Sequence, residues 1–376
     1  MKMKHIAAAS LLACAGTAWA QSSVTLYGVL DTNIEYVNKM SPTAPGTPGF
    51  PGAAASKIDM NTGGLSGSRW GLRGDEDLGG GNKALFVLES GFGVNDGRLQ
   101  QGGRLFGRQA FVGLDTRFGK FTFGRQYTSL FEALANFSPT AYSTQYEPII
   151  FMTGLNFRSD NTAKYTGTFG PVTALAHWSF GNGVFGAGQV PGQFKRDSGY
   201  GAAVAYAGGP FGATIAYDQA NPSMTPFGDT GYGSAKKLAV AASYTVGPAK
   251  LIGGYRWEKA TYSNDATFIR DDMWWAGVNY QATQALGLTL AYYYDKLKTL
   301  QLSKAGAPSS PANPWQVSFI ADYNFSKRTD VYLTTAYARN AGLNFDTSAI
   351  GFANGYFPGA GQTSMVGAAV GIRHKF

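Results

Sequence analysis

The sequence predicts an all-β fold: a 16-stranded antiparallel transmembrane β-barrel with short periplasmic turns and long extracellular loops. Three observations carry this. Segments of about ten residues alternate apolar and polar side chains, the period of a strand with two different faces. The connections between them alternate between very short and long. Charged residues make up 14% of the chain, well below roughly 25% in ordinary soluble domains, while 51 glycines and 21 tyrosines enrich it in turn and strand formers.

The alternation is clearest in VTLYGVLDTNIEYV (24–37), KALFVLESGFGV (83–94), KLAVAASYTV (237–246), LGLTLAYYYDK (286–296) and MVGAAVGIRHKF (365–376). Seven connections are turn chemistry, among them Phe169-Gly170-Pro171, Gly208-Gly209-Pro210 and Gly247-Pro248. Eight are longer: 38–66, 95–104, 128–157, 181–197, 220–234, 260–270, 298–313 and 340–362. Fifteen connections imply sixteen strands, with both termini at the short-turn end. Only a closed barrel satisfies strand backbone groups in hydrocarbon. In SRWGLRGDED (68–77), Trp70 and Leu72 would face lipid and Arg69, Arg73 and Asp75 a wet lumen. A large soluble β-sandwich is the competing fold, and it does not require the short/long alternation. No Pro/Ser-rich linker divides the chain, so residues 21–376 form one unit.

Residues 1–20 read as a secretory signal peptide. Lys2 and Lys4 precede an apolar run from Ile6 to Ala15, and Ala18-Trp19-Ala20 is a cleavage site before Gln21. Leu11-Leu12-Ala13-Cys14 offers a competing lipoprotein signal. Without Lys2 and Lys4, 29 basic residues face 23 acidic ones. Cys14 is the only cysteine, so no disulfide supports the exported chain. No stretch of 18 apolar residues marks a membrane helix.

QSSVTLYGVLDTNIEYVN, SRWGLRGDEDLGGGNKALFVLE, LDTRFGKFTFGRQYTSLFEAL and the terminal VGIRHKF together resemble the general trimeric porins of Gram-negative outer membranes, in the subgroup with arginine-rich constrictions. The resemblance runs from Gln21 to Phe376 and is poor in the loops. It implies three barrels per particle, passive diffusion of small hydrophilic solutes, and a third long loop folded into the lumen. It also implies contact with outer-membrane lipid, lipopolysaccharide and the assembly machinery, which would read the terminal aromatic Phe376.

The third long loop, about 128–157, carries Leu130, Phe131, Leu134, Phe137, Ile149, Ile150, Phe151 and Met152, which need burial. Ser129-Leu130-Phe131-Glu132 reads as a capping box. Glu132 would thus either cap a helix or present a carboxylate to the pore. Glu147 has no capping role and is the better candidate for an acidic loop residue. The resemblance places arginines opposite the loop at Arg69, Arg108 and Arg158, joined at the lumen by Arg73 and Asp31. Strict alternation puts Arg108 on the lipid face with Ala110 and Val112, so a bulge between 108 and 112 is expected. Arg125 shares a lipid face with Phe121 and Phe123, where an uncovered arginine costs roughly 2–4 kcal/mol at the midplane. The expected cover is a neighbouring barrel whose second long loop brings Asp96.

The expected function is a general-diffusion pore, anion-preferring because arginines line a narrow aqueous gap. A substrate-selective channel for organic anions or sugars is the alternative, and an exported soluble binding or adhesion protein the alternative of another class. His177 and Ser179 are the only neighbouring pair that suggests nucleophilic catalysis, and no third group orients them, so the chain is not expected to be an enzyme. No clustered ligands call for a metal, no cofactor is implied, and the dispersed charges do not suggest nucleic acid.

Overall fold

In the computed structural model, residues 23–183, 189–347 and 355–376 are described. The signal-peptide and lipoprotein readings of residues 1–20, and Gln21, lie outside them. Seventeen strand segments form one antiparallel sheet closed on itself. They are β1 (Ser23–Met40), β2 (Ala55–Thr62), β3 (Arg69–Gly79), β4 (Asn82–Gly91), β5 (Gln109–Thr116), β6 (Gly119–Tyr127), β7 (Arg158–Phe169), β8 (Val172–Ser179), β9 (Gly199–Gly208), β10 (Phe211–Ala220), β11 (Ser234–Val246), β12 (Ala249–Thr261), β13 (Thr267–Gln281), β14 (Leu286–Leu300), β15 (Trp315–Asn324), β16 (Thr329–Arg339) and β17 (Ser364–Lys375).

The barrel nevertheless has sixteen strand positions, because β2 and β3 are two halves of one strand. Thr32 to Met40 of β1 pairs with β2, and Ser23 to Val29 of β1 pairs with β3. The other edge of β1 pairs with β17 from Val29↔Lys375 to Val37↔Gly367, which closes the cylinder. An even number of positions lets every neighbour, including this last pair, run antiparallel.

The short turns are where their residues put them. β7–β8, β9–β10 and β11–β12 are two-residue hairpins through Gly170-Pro171, Gly209-Pro210 and Gly247-Pro248. Each glycine takes a φ between 53° and 59°. Proline then fixes the following φ near −65°, a combination that suits a type II′ turn and the twist of the flanking strands.

The first long loop departs from expectation. Residues 38–66 include β2, so the external part is only 41–54. Residues 63–68 interrupt the strand and bend inward, where Leu65 packs with Ile320 and Tyr332. Asp31 makes this excursion possible. Its carboxylate accepts the backbone N–H groups of Gly64 (2.9 Å), Leu65 (2.9 Å) and Ser66 (2.7 Å) and the Tyr332 hydroxyl (2.6 Å). Donors freed from the sheet ladder are thereby satisfied.

The third long loop does fold into the lumen. It contains the short helices α1 (Ser129–Leu134) and α2 (Ile149–Thr153). Leu130, Leu134 and Met152 are fully buried and Phe131, Phe137 and Phe151 nearly so, while Ile149 and Ile150 are half-buried. Room for them comes from small inward residues on the facing wall: Ala203 on β9, Ala216 on β10, Ala239 and Ala241 on β11, and Ala291 on β14. Burying each large loop side chain contributes about 1.5–3 kcal/mol.

Candidate functional site: the lumen constriction

Backbone hydrogen bonds and side-chain contacts tie the loop to one side of the barrel. Ser129 Oγ lies 2.9 Å from His177 Nδ1 on β8. The Trp275 indole donates to Phe137 O (2.8 Å), and the Asn279 amide to Pro139 O (2.7 Å), both from β13. Gln316 and Ser318 on β15 donate to Tyr146 O, and the Tyr146 hydroxyl donates to Glu35 on β1 at 2.6 Å. The loop tip also meets the inward excursion, through Gln145 N to Gly64 O at 2.9 Å. These anchors occupy β8, β13–β15 and β1. They leave the inner face of β3–β7 open across the gap, except where Lys164 on β7 pairs with Glu132 near the loop root.

That open wall carries arginines. Arg69 and Arg73 face inward, since Arg69 pairs with Val29 and Arg73 with Thr25, on the inward parity of β1. Trp70 and Leu72 have the opposite parity and face outward. Arg108 precedes β5, whose register with β4 is unbroken, so no bulge is needed: outside the strand, alternation does not bind it. Its Nε donates to Glu89 at 2.8 Å and its Nη2 to the Tyr127 hydroxyl at 3.1 Å. Arg158 reaches the same hydroxyl at 3.3 Å and lies over the Tyr127 and Phe157 rings. Arg69 Nε is 3.6 Å from Glu89, and the Tyr27 hydroxyl donates to the same carboxylate at 3.1 Å. Arg73 lies over the Tyr27 ring at 5.3 Å. The Tyr127 ring stacks on Phe131, and Phe131 on Tyr142, each at 4.4 Å, so an aromatic pile joins wall to loop. Arginine suits this place because it stays charged and stacks on aromatic faces.

The carboxylates expected opposite the arginines are placed differently. Glu147 is buried and accepts hydroxyls of Ser138 (2.7 Å), Thr140 (2.6 Å) and Tyr293 (3.1 Å). It knots the loop together and does not face water, and burial raises its pKa above the usual carboxylate range. Glu132 is partly exposed but ion-paired with Lys164. The helix cap is Thr128, so the expected capping box at Ser129 is absent and Glu132 does not close one. Asp31 is fully buried by the excursion it caps, leaving it no water-facing role.

Arg125 also differs from expectation. Its partner lies within the chain: Nη1 donates to Asp160 at 2.6 Å and Nε to Gly107 O at 2.7 Å, and Arg104 shares the same aspartate. The charge does not depend on a neighbouring barrel for cover. Asp96 is exposed and accepts the Arg98 backbone N–H within its own turn. Phe376 ends the chain at the seam, with its backbone paired to Gly28.

Sequence reasoning missed Glu89 and Tyr127. Glu89 sits inward opposite Gly71, and strand register alone would have identified it. Tyr127 ends β6 beside the loop, where alternation no longer reports direction. His177 and Ser179 are both inward and buried; the first holds the loop root and the second donates to Asp160 O at 2.6 Å.

A family model described as Gram-negative porin matches residues 7–343. The chain belongs to the Gram-negative porin family. Outer membrane porin protein 32 of Delftia acidovorans is 31% identical over 391 residues, covering 99% of each chain. An outer membrane porin of Bordetella pertussis is 29% identical over 418 residues, covering both chains fully. Among solved structures, the anion-selective porin from Comamonas acidovorans superposes with a TM-score of 0.73 at 26% identity, covering 94% of this chain and 100% of that one. This porin is therefore an outer-membrane diffusion channel for ions and small hydrophilic solutes, and its third long loop narrows the passage.

Proposed function

We propose that the channel prefers anions. The observation that carries this is the imbalance at the gap. Arg69, Arg73, Arg108 and Arg158 stand on one wall against the single carboxylate of Glu89, to which the buried Arg108 is paired, while on the loop Glu132 is paired with Lys164 and Glu147 is buried. Low-dielectric walls focus the field of these fixed charges on the narrow aqueous path. The similar Comamonas acidovorans protein is called anion-selective, in agreement with this reading. Reversal potentials in a potassium chloride gradient test it. The expected sign is that of chloride, fading as salt shortens the screening length from about 8 Å toward 3 Å. A potassium-preferring sign at low salt overturns the reading.

The working unit in this reading is a homotrimer. Near the seam the outer wall carries an apolar hollow lined by Ile34, Met60, Leu333, Val370 and Ile372. A contiguous apolar surface of this kind suits another barrel, and a trimeric form of Vibrio cholerae OmpT shares the fold. Lipid and lipopolysaccharide would cover the rest of the wall, and the assembly machinery would read Phe376.

A further inference from the structure

We propose that an apolar cavity between the third long loop and the wall of β10–β13 binds a short alkylamine, with Glu258 holding its ammonium group. The cavity measures about 90 Å³. Phe151 of α2 and Leu155 line it from the loop, and Met224, Phe268 and Ile269 line it from the barrel side. Strand register sets a belt of inward polar residues beneath it. Asp218 on β10 pairs with Lys237 on β11, Lys237 with Glu258 on β12, and Glu258 with Asp271 on β13. The next inward row carries Arg256 on β12 and Asp295 on β14, both opposite Met273.

The charges in this belt do not balance. Lys237 and Arg256 stand against the carboxylates of Asp218, Glu258, Asp271 and Asp295. His177, 3.7 Å from Asp218, would supply a third cation at most, which still leaves one negative charge unmatched. Arg256 is taken up by both oxygens of Asp271 and by Oε2 of Glu258. Asp295 lies 3.9 Å from it, and neither of its oxygens has a hydrogen-bond partner. Lys237 is also committed: it donates to Asn156 at 3.1 Å and lies 3.9 Å from Asp218. Gly154 of the loop lies over it so closely that a Cβ there would be 2.2 Å from its Cε. Glu258 is the member that remains open. Its side chain is 15% exposed where the other five are at most 2%, and it lines the cavity.

These features fix the kind of ligand. A buried carboxylate without a counter-charge is costly, and a cation entering the cavity relieves that cost. An anion would meet Glu258 and Asp271, while the nearby lysine is already held. A bare calcium ion takes about six to eight oxygens, and the Glu258 side chain has one oxygen not given to Arg256. The walls are apolar, with the Phe227 and Phe268 rings 4.6 Å apart, so the rest of the ligand is hydrocarbon. A cavity of about 150 Å³ takes a benzene ring, so this smaller one suits a chain of about four carbons. The cavity lies inside the barrel, so a water-soluble amine reaches it without crossing lipid. It lies against β10–β13, across the gap from the arginine wall.

The test titrates the intact porin, labelled with ¹³C-methyl methionine, with n-butylammonium chloride, 1-butanol or sodium butyrate at matched ionic strength. Met224 lines the cavity, and the exposed Met60 on the outer wall reports any change in the surrounding detergent. The amine should shift the Met224 methyl resonance saturably and leave Met60 in place. It should bind at least about tenfold more tightly than 1-butanol, the factor that a hydrogen bond to a charged group supplies. Glu258→Gln should lose about that factor for the amine and keep its weaker affinity for the alcohol. Ala235→Leu fills the cavity and leaves the carboxylates in place, so it should abolish binding of both. Open-channel current should be unchanged at saturating amine. Equal affinity for 1-butanol or butyrate, an unmoved Met224 resonance, or undiminished amine binding by Glu258→Gln overturns the proposal. Current block without a Met224 shift does so too, because it places the amine in the gap. If Glu258→Gln fails to assemble, the three ligands on the intact porin and the Ala235→Leu variant decide.

Discussion

Glu89 is the residue on which the charge balance of the gap turns. It accepts from Arg108 and Tyr27 and lies near Arg69, so it cancels part of a field that four arginines create. A unit charge about 8 Å from the ion path contributes roughly 0.5 kcal/mol in water, or about a twofold change in local ion concentration. Glu89→Gln retains an oxygen for the Arg108 Nε and removes the charge. Chloride should gain and potassium lose by that factor, so the chloride-to-potassium permeability ratio should rise about fourfold at low salt, and Arg69→Gln should lower it by a similar factor. Single-channel reversal potentials for the two variants check this. Equal shifts of the same sign would show that the side chains act by shape and not by charge.

At the scale of elements, the loop that narrows the lumen is held by a buried carboxylate. Burial holds the Glu147 pKa above its ordinary value, and three hydroxyls donate to it. The folded loop thus keeps this proton more firmly than an unfolded chain does. The sign follows: the contribution to anchorage is most favourable below the ordinary carboxylate range and declines as pH rises through the raised folded value. Spontaneous closures of the channel should become more frequent with rising pH, and Glu147→Gln should flatten that dependence. Glu147→Ala should raise closures at every pH, because stranding buried hydroxyls costs about 1–3 kcal/mol. Recordings at several pH values decide it; closures that grow only on acidification would refute the assignment.

The same loop shows what the sequence could and could not reveal. Its eight apolar residues demanded burial, and alternation placed Arg69 and Arg73 inward, so barrel, loop and part of the arginine wall were legible. Alternation reports direction only inside a regular strand. Arg108 lies just outside β5 and Asp31 beside the strand break, and both depend on partners distant in sequence: Tyr332 is 301 residues from Asp31. The sequence makes Glu147 the better candidate for an acidic pore residue because, unlike Glu132, it has no capping role. Its burial depends on Tyr293, which the sequence cannot place beside it. The excursion at 63–68 reads in the sequence as part of an external loop, because glycines and serines mark any irregular segment.

The whole molecule depends on one seam. β1 and β17 meet last in the chain and close the cylinder, and the final residue exchanges backbone hydrogen bonds with Gly28 at 3.0 and 3.1 Å. Gly28 is glycine for a spatial reason. A Cβ there would lie 2.4 Å from the Phe376 ring and 2.7 Å from the Arg69 carbonyl oxygen on β3. Gly28→Val must displace both a side chain and a neighbouring strand, and overpacking of that kind costs roughly 1–3 kcal/mol. Phe376→Ala removes an exposed ring and keeps the backbone pair. Refolded into lipid, Gly28→Val should unfold at clearly lower urea concentration than the parent, and Phe376→Ala close to it. In cells, the proposed role of Phe376 as an assembly signal implies that Phe376→Ala still lowers the amount of assembled, heat-modifiable barrel although the seam is sound. If Phe376→Ala destabilises the refolded barrel as much as Gly28→Val does, the ring is a packing element of the seam. Its place at the chain end would then need no assembly signal to explain it.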